Sequence, residues 1–333
     1  MKANLEKFAF LFALIGIALL GLHKEDGRVF WGGEPASASP AQAVAVITET
    51  VMPEAKSLPL AASTPIREKN TFDVSPVFIK KSELAQPKVK AEVALLADLE
   101  TGQIYYDKNS ERRWPMASIS KLLSAEFALD QMPADKRITI TEQEFEITGG
   151  DLARGLKVSE QYALEDLVRA MLIFSSNEAA EAVASSFGRD EFIKGLNLLA
   201  SNWGMSETHL ADPTGLSAAN QSTARDLMMA AQEIYRLRPE VFETTRHPNV
   251  TLVELNSGKA QTFTNINSFA GDADFLGGKT GFTNDANGNL LSIFSFEKRP
   301  ILVVVMGTPD RFGETQKLRD WFKKSHTINN VQP

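Results

Sequence analysis

The sequence predicts an α+β domain in which one antiparallel sheet draws its strands from both ends of the domain and a block of helices lies between them. Residues 93–98 and 104–106 are apolar runs on either side of Glu100-Thr101-Gly102-Gln103, the pattern of a hairpin turning at Thr101-Gly102. From Ser118 to about Leu237 the apolar spacing is mostly helical. Strand patterns then return at 275–282, 288–296 and 301–307, whereas a doubly wound fold would alternate strands and helices throughout.

At 333 residues with 43% hydrophobic side chains, the chain can bury a substantial core. Its net charge of −7 and pI near 5.3 give no general attraction to nucleic acid, which is not expected as a partner. There is no cysteine, so thiolate catalysis, disulfides and cysteine-based metal sites are excluded. His23, His209, His247 and His326 show no ligand spacing, and neither a metal nor a cofactor is expected.

In chain order, Lys2 and Lys7 precede an uncharged apolar run at 8–22 that ends at His23-Lys24. A basic flank before a run of that length is an export signal. Ala36-Ser37-Ala38 resembles a cleavage site but lies well beyond the run, which favours an uncleaved membrane anchor within residues 1–32 and a chain held outside the cytoplasmic membrane. Residues 33–90 hold seven of the fifteen prolines without sustained periodicity and read as a flexible linker. The ordered domain is assigned to 91–325 and a tail to 326–333. Inside the domain, Gly149-Gly150, Gly155, Gly188, Gly204 and Asp212-Pro213-Thr214-Gly215 punctuate the helices. Glu297-Lys298-Arg299-Pro300 turns between the last strands, and an amphipathic helix at 312–323 closes the domain.

Three polar clusters stand out. In Pro115-Met116-Ala117-Ser118-Ile119-Ser120-Lys121, a helix starting near Ser118 would stack the Ser118 hydroxyl and the Lys121 amine one turn apart, a candidate nucleophile beside a candidate base. Burial and the positive end of the helix dipole would both make that lysine release its proton more readily. A second Ser-x-x-Lys, Ser295 to Lys298, falls in a strand pattern, where residues three apart face opposite sides. Ser175-Ser176-Asn177 lies between apolar Met171-Leu172-Ile173-Phe174 and a helical pattern, and by itself reads first as a helix cap. Gly277-Gly278-Lys279-Thr280-Gly281-Phe282 lies in a strand whose glycines permit close approach of another backbone or a ligand. A phosphate loop would need glycine where Ala273 stands and a helix where a strand follows.

In this order, Ser118-x-x-Lys121, Ser175-x-Asn177 and Lys279-Thr280-Gly281 resemble the motif set of class A β-lactamases and penicillin-binding proteins. The region from about Val93 to Trp321 is similar to the low-molecular-mass D-alanyl-D-alanine carboxypeptidases, the serine-type penicillin-binding proteins of peptidase family S11. The likeness extends to the opening hairpin from Val93 to Gly102, to Asp212-Pro213-Thr214-Gly215-Leu216 with Ser222-Thr223-Ala224-Arg225-Asp226-Leu227, and to Asn265-x-Asn267 ahead of Lys279.

The resemblance implies a β-lactamase/DD-peptidase-like fold and a serine D-Ala-D-Ala carboxypeptidase acting on peptidoglycan stem peptides, with β-lactam antibiotics as covalent inhibitors. Carried over, Ser118 is the nucleophile and Lys121 its base. Ser175 relays a proton to the leaving amine, and Asn177 holds Lys121 and the substrate amide. Lys279, Thr280 and Gly281 bind the substrate, the first two through its terminal carboxylate. The backbone N–H groups of Ser118 and Phe282 form the oxyanion hole. An export signal and a tether suit such an enzyme, because peptidoglycan lies outside the membrane.

Departures from the family pattern are confined to two places. Residues 152–159 follow its glycine-bearing run only in part, so the loop beside the site is expected to differ in shape. With the chain ending at Pro333, the C-terminal β-domain and anchor of larger members are not expected, which leaves membrane attachment to the N-terminus. Three other readings share the clusters. A DD-endopeptidase cutting cross-links would use the same residues. A class A β-lactamase would need a deacylating Glu-x-x-Leu-Asn, for which Glu207-Thr208-His209-Leu210-Ala211 is a poor substitute. A tethered wall-binding protein would keep the fold without the chemistry.

Overall fold

The computed structural model describes residues 77–150 and 155–329. The apolar run at 8–22, most of the expected linker and residues 151–154 lie outside the described residues, and among the latter no helix is long and apolar enough to cross a membrane. Strand β1 (Val77–Lys80) leads to the hairpin β2 (Val93–Asp98) and β3 (Ile104–Lys108), then to β4 (Trp114–Pro115). A 3₁₀ turn (Ala117–Ser120) runs into helix α1 (Lys121–Gln131). The helical block continues with β5 (Arg137–Thr139), α2 (Glu142–Thr148), β6 (Gln161–Ala163), α3 (Leu164–Ile173), α4 (Asn177–Phe187) and α5 (Arg189–Asn202). It closes with β7 (Gln221–Ser222), α6 (Ala224–Leu237) and α7 (Pro239–Arg246). A hairpin of β8 (Asn249–Val253) and β9 (Ala260–Thr264) precedes β10 (Phe275–Thr283), β11 (Asn287–Phe296), β12 (Arg299–Thr308), α8 (Arg311–Ser325) and β13 (His326–Asn329).

The central sheet has the order β10-β11-β12-β2-β3 and is antiparallel throughout, so strands from both ends of the domain meet where β12 pairs with β2. Strand alternation divides its side chains between two cores. Leu95, Ile293, Leu302 and Val304 pack with the helical block, whereas Leu96, Phe294, Val303 and Val305 pack with Leu318, Trp321 and Phe322 of α8. Covered on both faces, β12 is buried along its whole length, which explains its unbroken apolar run from Ile301 to Val305. A buried bidentate pair ties the two hairpin ends together: Arg299 Nε and Nη2 donate to Asp98 at 2.9 and 3.0 Å.

The opening hairpin, the helical block, the three later strands and the closing helix come in the expected order, the β8–β9 hairpin is additional to it, and several boundaries differ. Val77–Lys80, in the stretch read as linker, pairs with His326–Asn329, in the stretch read as tail, so ordered structure extends past both 91 and 325. The sequence shows no clear signal there because each strand has only four residues and is stabilised by the other. The helical block contains the short pairs β5–β6 and β4–β7, and Pro115 lies in β4 instead of starting a helix. Helix continues past Leu237 into α7, with Pro239 at its first position.

Candidate active site

The Ser118–Lys121 spacing is realised by the 3₁₀ turn. At three residues per turn, positions i and i+3 eclipse, and Lys121 Nζ lies 3.0 Å from Ser118 Oγ. This turn is held under strain. Ala117 has φ +49°, a left-handed conformation that costs a β-carbon residue roughly 1–3 kcal/mol and persists only where its surroundings impose it. They do so here: Met116 N–H donates to the Asn220 carbonyl at 2.8 Å, and Asn289 Nδ2 donates to the carbonyls of Pro115 and Met116 at 2.8 and 3.1 Å.

Two glycines press on the same peptide. A β-carbon on Gly215 would lie 2.0 Å from the Ala117 oxygen, and one on Gly281 would lie 2.8 Å from the Met116 oxygen and 3.3 Å from Ser118 N. Glycine is therefore required where β10 passes Ser118. Gly281→Ala is expected to push β10 outward and slow β-lactam acylation about 10²-fold, the effect of misplacing reacting groups by about 1 Å. Stopped-flow labelling checks this, and a wild-type rate would show that the close approach does not set the site geometry.

Lys121 is completely buried and forms no ion pair with a described carboxylate. Burial lowers its pKa to about 7, against the opposing charges of Asp212, Glu178 and Glu181. Its remaining partners are acceptors only: Asn177 Oδ1 at 2.7 Å and the Thr214 carbonyl at 2.6 Å. A neutral amine has two protons and one lone pair. With both protons engaged by those oxygens, the lone pair faces the Ser118 hydroxyl, which is the arrangement a general base needs. The Thr214 carbonyl is fixed by the Asp212 carboxylate, which accepts from the N–H groups of Thr214, Gly215 and Ser217 at 2.6–2.8 Å.

The second cluster divides its work. Ser176 caps α4, its Oγ accepting from Ala179 N–H at 3.1 Å, so the cap reading is right for that residue. Its neighbours are left free for the site: Ser175 adopts φ +62°, and Asn177, the first residue of α4, reaches Lys121. Lys279 Nζ donates to Ser175 Oγ at 2.9 Å and to the Thr280 carbonyl at 3.0 Å. Only 1% exposed, Lys279 has its pKa pushed well down, first by burial and then by the charges of Lys121 and Arg311. Arg311, half-buried at the start of α8, donates to the Gly281 carbonyl at 3.0 Å and has a buried Nε without a partner. The Arg311 guanidinium at this end of β10 attracts an anion such as a carboxylate, and an anion bound there would favour the protonated form of Lys279.

The structure thus brings Ser118, Lys121, Asn177, Ser175, Lys279, Thr280 and Gly281 into one locus, with Phe282 at its exposed rim. Asn265 and Asn267 do not join it. Asn265 donates to the carbonyls of Thr245 and His247, and Asn267 accepts from Phe269 N–H, so both stabilise a turn. Glu207 is exposed in the turn after α5, where its N–H donates to Asp226. Among the described residues no group of His, Asp and Glu could hold a metal ion. Sequence reasoning missed Arg311, Asn220, Asn289 and the Thr214 carbonyl. The glycine-bearing Asp212-Pro213-Thr214-Gly215 turn hinted at the last, whereas isolated polar residues far along the chain carry no local signal.

With the geometry in view, comparison with known proteins is informative. The sequence pattern of the peptidase S11 family, described as D-alanyl-D-alanine carboxypeptidase, matches residues 80–310. The chain is 33% identical over 252 residues to a D-alanyl-D-alanine endopeptidase of Pseudomonas aeruginosa, covering 72% of this chain and 79% of that protein. An Escherichia coli D-alanyl-D-alanine endopeptidase is 31% identical over 249 residues, with the same coverage. The E. coli D-alanyl-D-alanine carboxypeptidase DacC is 26% identical over 273 residues, covering 77% and 67%. Among solved structures, penicillin-binding protein D2 of Listeria monocytogenes in its ampicillin-bound form superposes with a TM-score of 0.61 at 27% identity, covering 71% of this chain and 99% of that one.

Proposed function

Because the chain belongs to peptidase family S11, the D-alanyl-D-alanine carboxypeptidase family of serine DD-peptidases that act on peptidoglycan, we propose that Ser118 opens the D-Ala peptide bond of a stem peptide through an acyl-enzyme. The observation that carries this reading is the buried Lys121 amine 3.0 Å from Ser118 Oγ, whose two other partners are both acceptor oxygens.

Ser118 Oγ attacks the carbonyl carbon of the penultimate D-Ala as its proton passes to Lys121 Nζ. The developing oxyanion is met by the backbone N–H groups of Ser118 and Phe282, each worth a few kcal/mol, roughly, in sites of this kind. The C–N bond then breaks. Ser175, which accepts from Lys279, has its own hydroxyl proton free to pass to the departing amine, and regains one relayed from Lys121. Lys279, Thr280 and Arg311 hold the carboxylate beside the scissile bond, and Asn177 holds Lys121 and the substrate amide. Water next attacks the ester with Lys121 again taking its proton, which frees Ser118.

The carboxypeptidase reaction expected from the sequence and the endopeptidase reaction share this chemistry, since a cross-linking diamino acid offers an amine with a carboxylate beside it. The names of the relatives at 33% and 31% identity favour cross-link cleavage as the main activity, with terminal D-Ala release as the second. β-Lactams would acylate Ser118 in the same way, and the segment at 8–22 would tether the enzyme to the outer side of the membrane. Incubating the protein with a stem pentapeptide and with cross-linked dimers, and reading products by mass, tests the assignment. Conversion of dimers to monomers, blocked by prior ampicillin, is expected; a protein that consumes neither substrate overturns it.

A further inference from the structure

Asn265, which the sequence places ahead of Lys279, holds the helix that grips β10 just before the site. Asn265 Nδ2 donates to the Thr245 and His247 carbonyls at 3.0 and 2.9 Å, acceptors that the end of α7 leaves without intrahelical partners. Thr245 is 1% exposed, and its hydroxyl is used in both directions. It donates to the Phe242 carbonyl at 2.7 Å and accepts from Gly278 N–H at 2.8 Å. Arg246 Nε donates to the Phe275 carbonyl at 3.0 Å. Between these two ties the register of β10 with β11 breaks, from Phe275 to Gly277. Gly277 has φ +140°, and a β-carbon on it would lie 2.5 Å from the Phe242 oxygen. Helix α7 thus clasps the strand over a bulge, a device that re-aims the side chains that follow.

Because Gly278 N–H is taken by α7, it lies on the edge of β10 that faces away from β11. The register is continuous from Gly277 to Thr283, so the backbone groups of Thr280 and Phe282 share that edge. There the Thr280 carbonyl accepts from Lys279 Nζ at 3.0 Å. The Phe282 N–H is the oxyanion donor of the function proposed above, on which this inference rests. Helix α7 occupies the first N–H of this edge and leaves the later ones to substrate. A shift of the strand at Gly278 would carry Lys279 away from Ser175, now at 2.9 Å, and the Phe282 N–H away from Ser118.

We propose that Thr245 is a positioning residue for acylation: held by Asn265, its hydroxyl fixes β10 at Gly278 and so aims Lys279 at Ser175 and the Phe282 N–H at the acyl carbonyl. Thr245 touches no reacting atom. It acts through the placement of the strand.

The test is stopped-flow acylation of the full-length protein by fluorescent penicillin, with thermal melting in parallel. Thr245→Val keeps the side chain's shape and leaves Gly278 N–H without an acceptor. Its acylation rate constant at saturating penicillin is expected to fall about tenfold, a partial form of the loss that follows from misplacing reacting groups. Thr245→Ser restores the hydroxyl and should acylate within about twofold of wild type, although it gives up a buried methyl group. Asn265→Ala, at a half-buried position, should slow acylation about threefold, and it carries the test should Thr245→Val not fold. Leu96→Val, buried in β2 three strands from β10, lowers stability at a distance and should keep the wild-type rate. A role in stability alone predicts wild-type acylation by whatever variant protein is folded. A wild-type rate in each of Thr245→Val and Asn265→Ala that folds, or a Thr245→Ser as slow as Thr245→Val, overturns the positioning role alone. A wild type that takes up no Ser118-dependent label overturns the DD-peptidase reading and the positioning role with it.

Discussion

Ser118→Ala is expected to lose covalent labelling by fluorescent penicillin altogether and to reduce peptide hydrolysis by about 10⁴-fold or more, the scale seen when a serine hydrolase loses its nucleophile. The fold should be unaffected, since Ser118 Oγ has no described partner except Lys121. Ser120 provides the internal control. Only two residues away, it is buried, its Oγ donating to the Ala117 carbonyl at 2.9 Å and accepting from Asn220 Nδ2 at 3.2 Å. Ser120→Ala should therefore lose some stability and still label. Label that persists in Ser118→Ala and vanishes in Ser120→Ala would move the nucleophile and overturn the assignment; absence of any Ser118-dependent label in the wild type would favour a wall-binding protein.

Lys121→Ala is expected to slow acylation by about 10²- to 10⁴-fold, the usual contribution of a positioned base, while circular dichroism shows the fold retained. Normal labelling in this variant would overturn Lys121 as the base. The pH profile provides a second, independent check. Lys121 must be neutral to accept the Ser118 proton, and its pKa is lowered by burial to about 7, so acylation should rise with pH through 7 and then level off. At pH 6 about a tenth of molecules would carry the competent amine and at pH 8 about nine-tenths. The same shift acts on stability with a definite sign. Between about 7 and the ordinary lysine range the unfolded chain binds a proton that the folded chain does not, so this residue makes folding more favourable as pH rises across that interval. A profile that falls with rising pH near neutrality would contradict both.

The burial of Lys121 and Lys279 is an energetic liability that the function explains. A buried ammonium is costly, and an enzyme that needs a neutral amine near pH 7 obtains it by that same burial. Asp212 illustrates how the cost is contained. Its carboxylate does not contact Lys121, which would hold the proton on, but fixes the turn whose Thr214 carbonyl does.

The α+β class and a sheet drawn from both ends of the domain were legible in the sequence because the sheet is covered on both faces. Long apolar runs such as Ile301 to Val305 are hard to place elsewhere, and Thr101-Gly102 marks the hairpin, Gly102 adopting φ +72°. The motif residues were legible because the chemistry confines them to short spacings: Ser118 with Lys121, Ser175 with Asn177, Lys279 with Thr280. Residue types at fixed offsets on one turn or strand are a local property, and local properties survive in a one-dimensional string.

Only the folded chain decided the rest. It turned the expected helix start into a 3₁₀ turn, because Gly215, Gly281, Asn220 and Asn289, remote in sequence, together force Ala117 into a left-handed conformation. It recruited Arg311, assigned the cap to Ser176 so that Ser175 and Asn177 could face the lysines, and paired β1 with β13. Each of these depends on contacts between segments separated by many residues. A sequence lists which groups are available, but the direction of a lone pair or the closeness of two backbones exists only once burial and packing have fixed them in space.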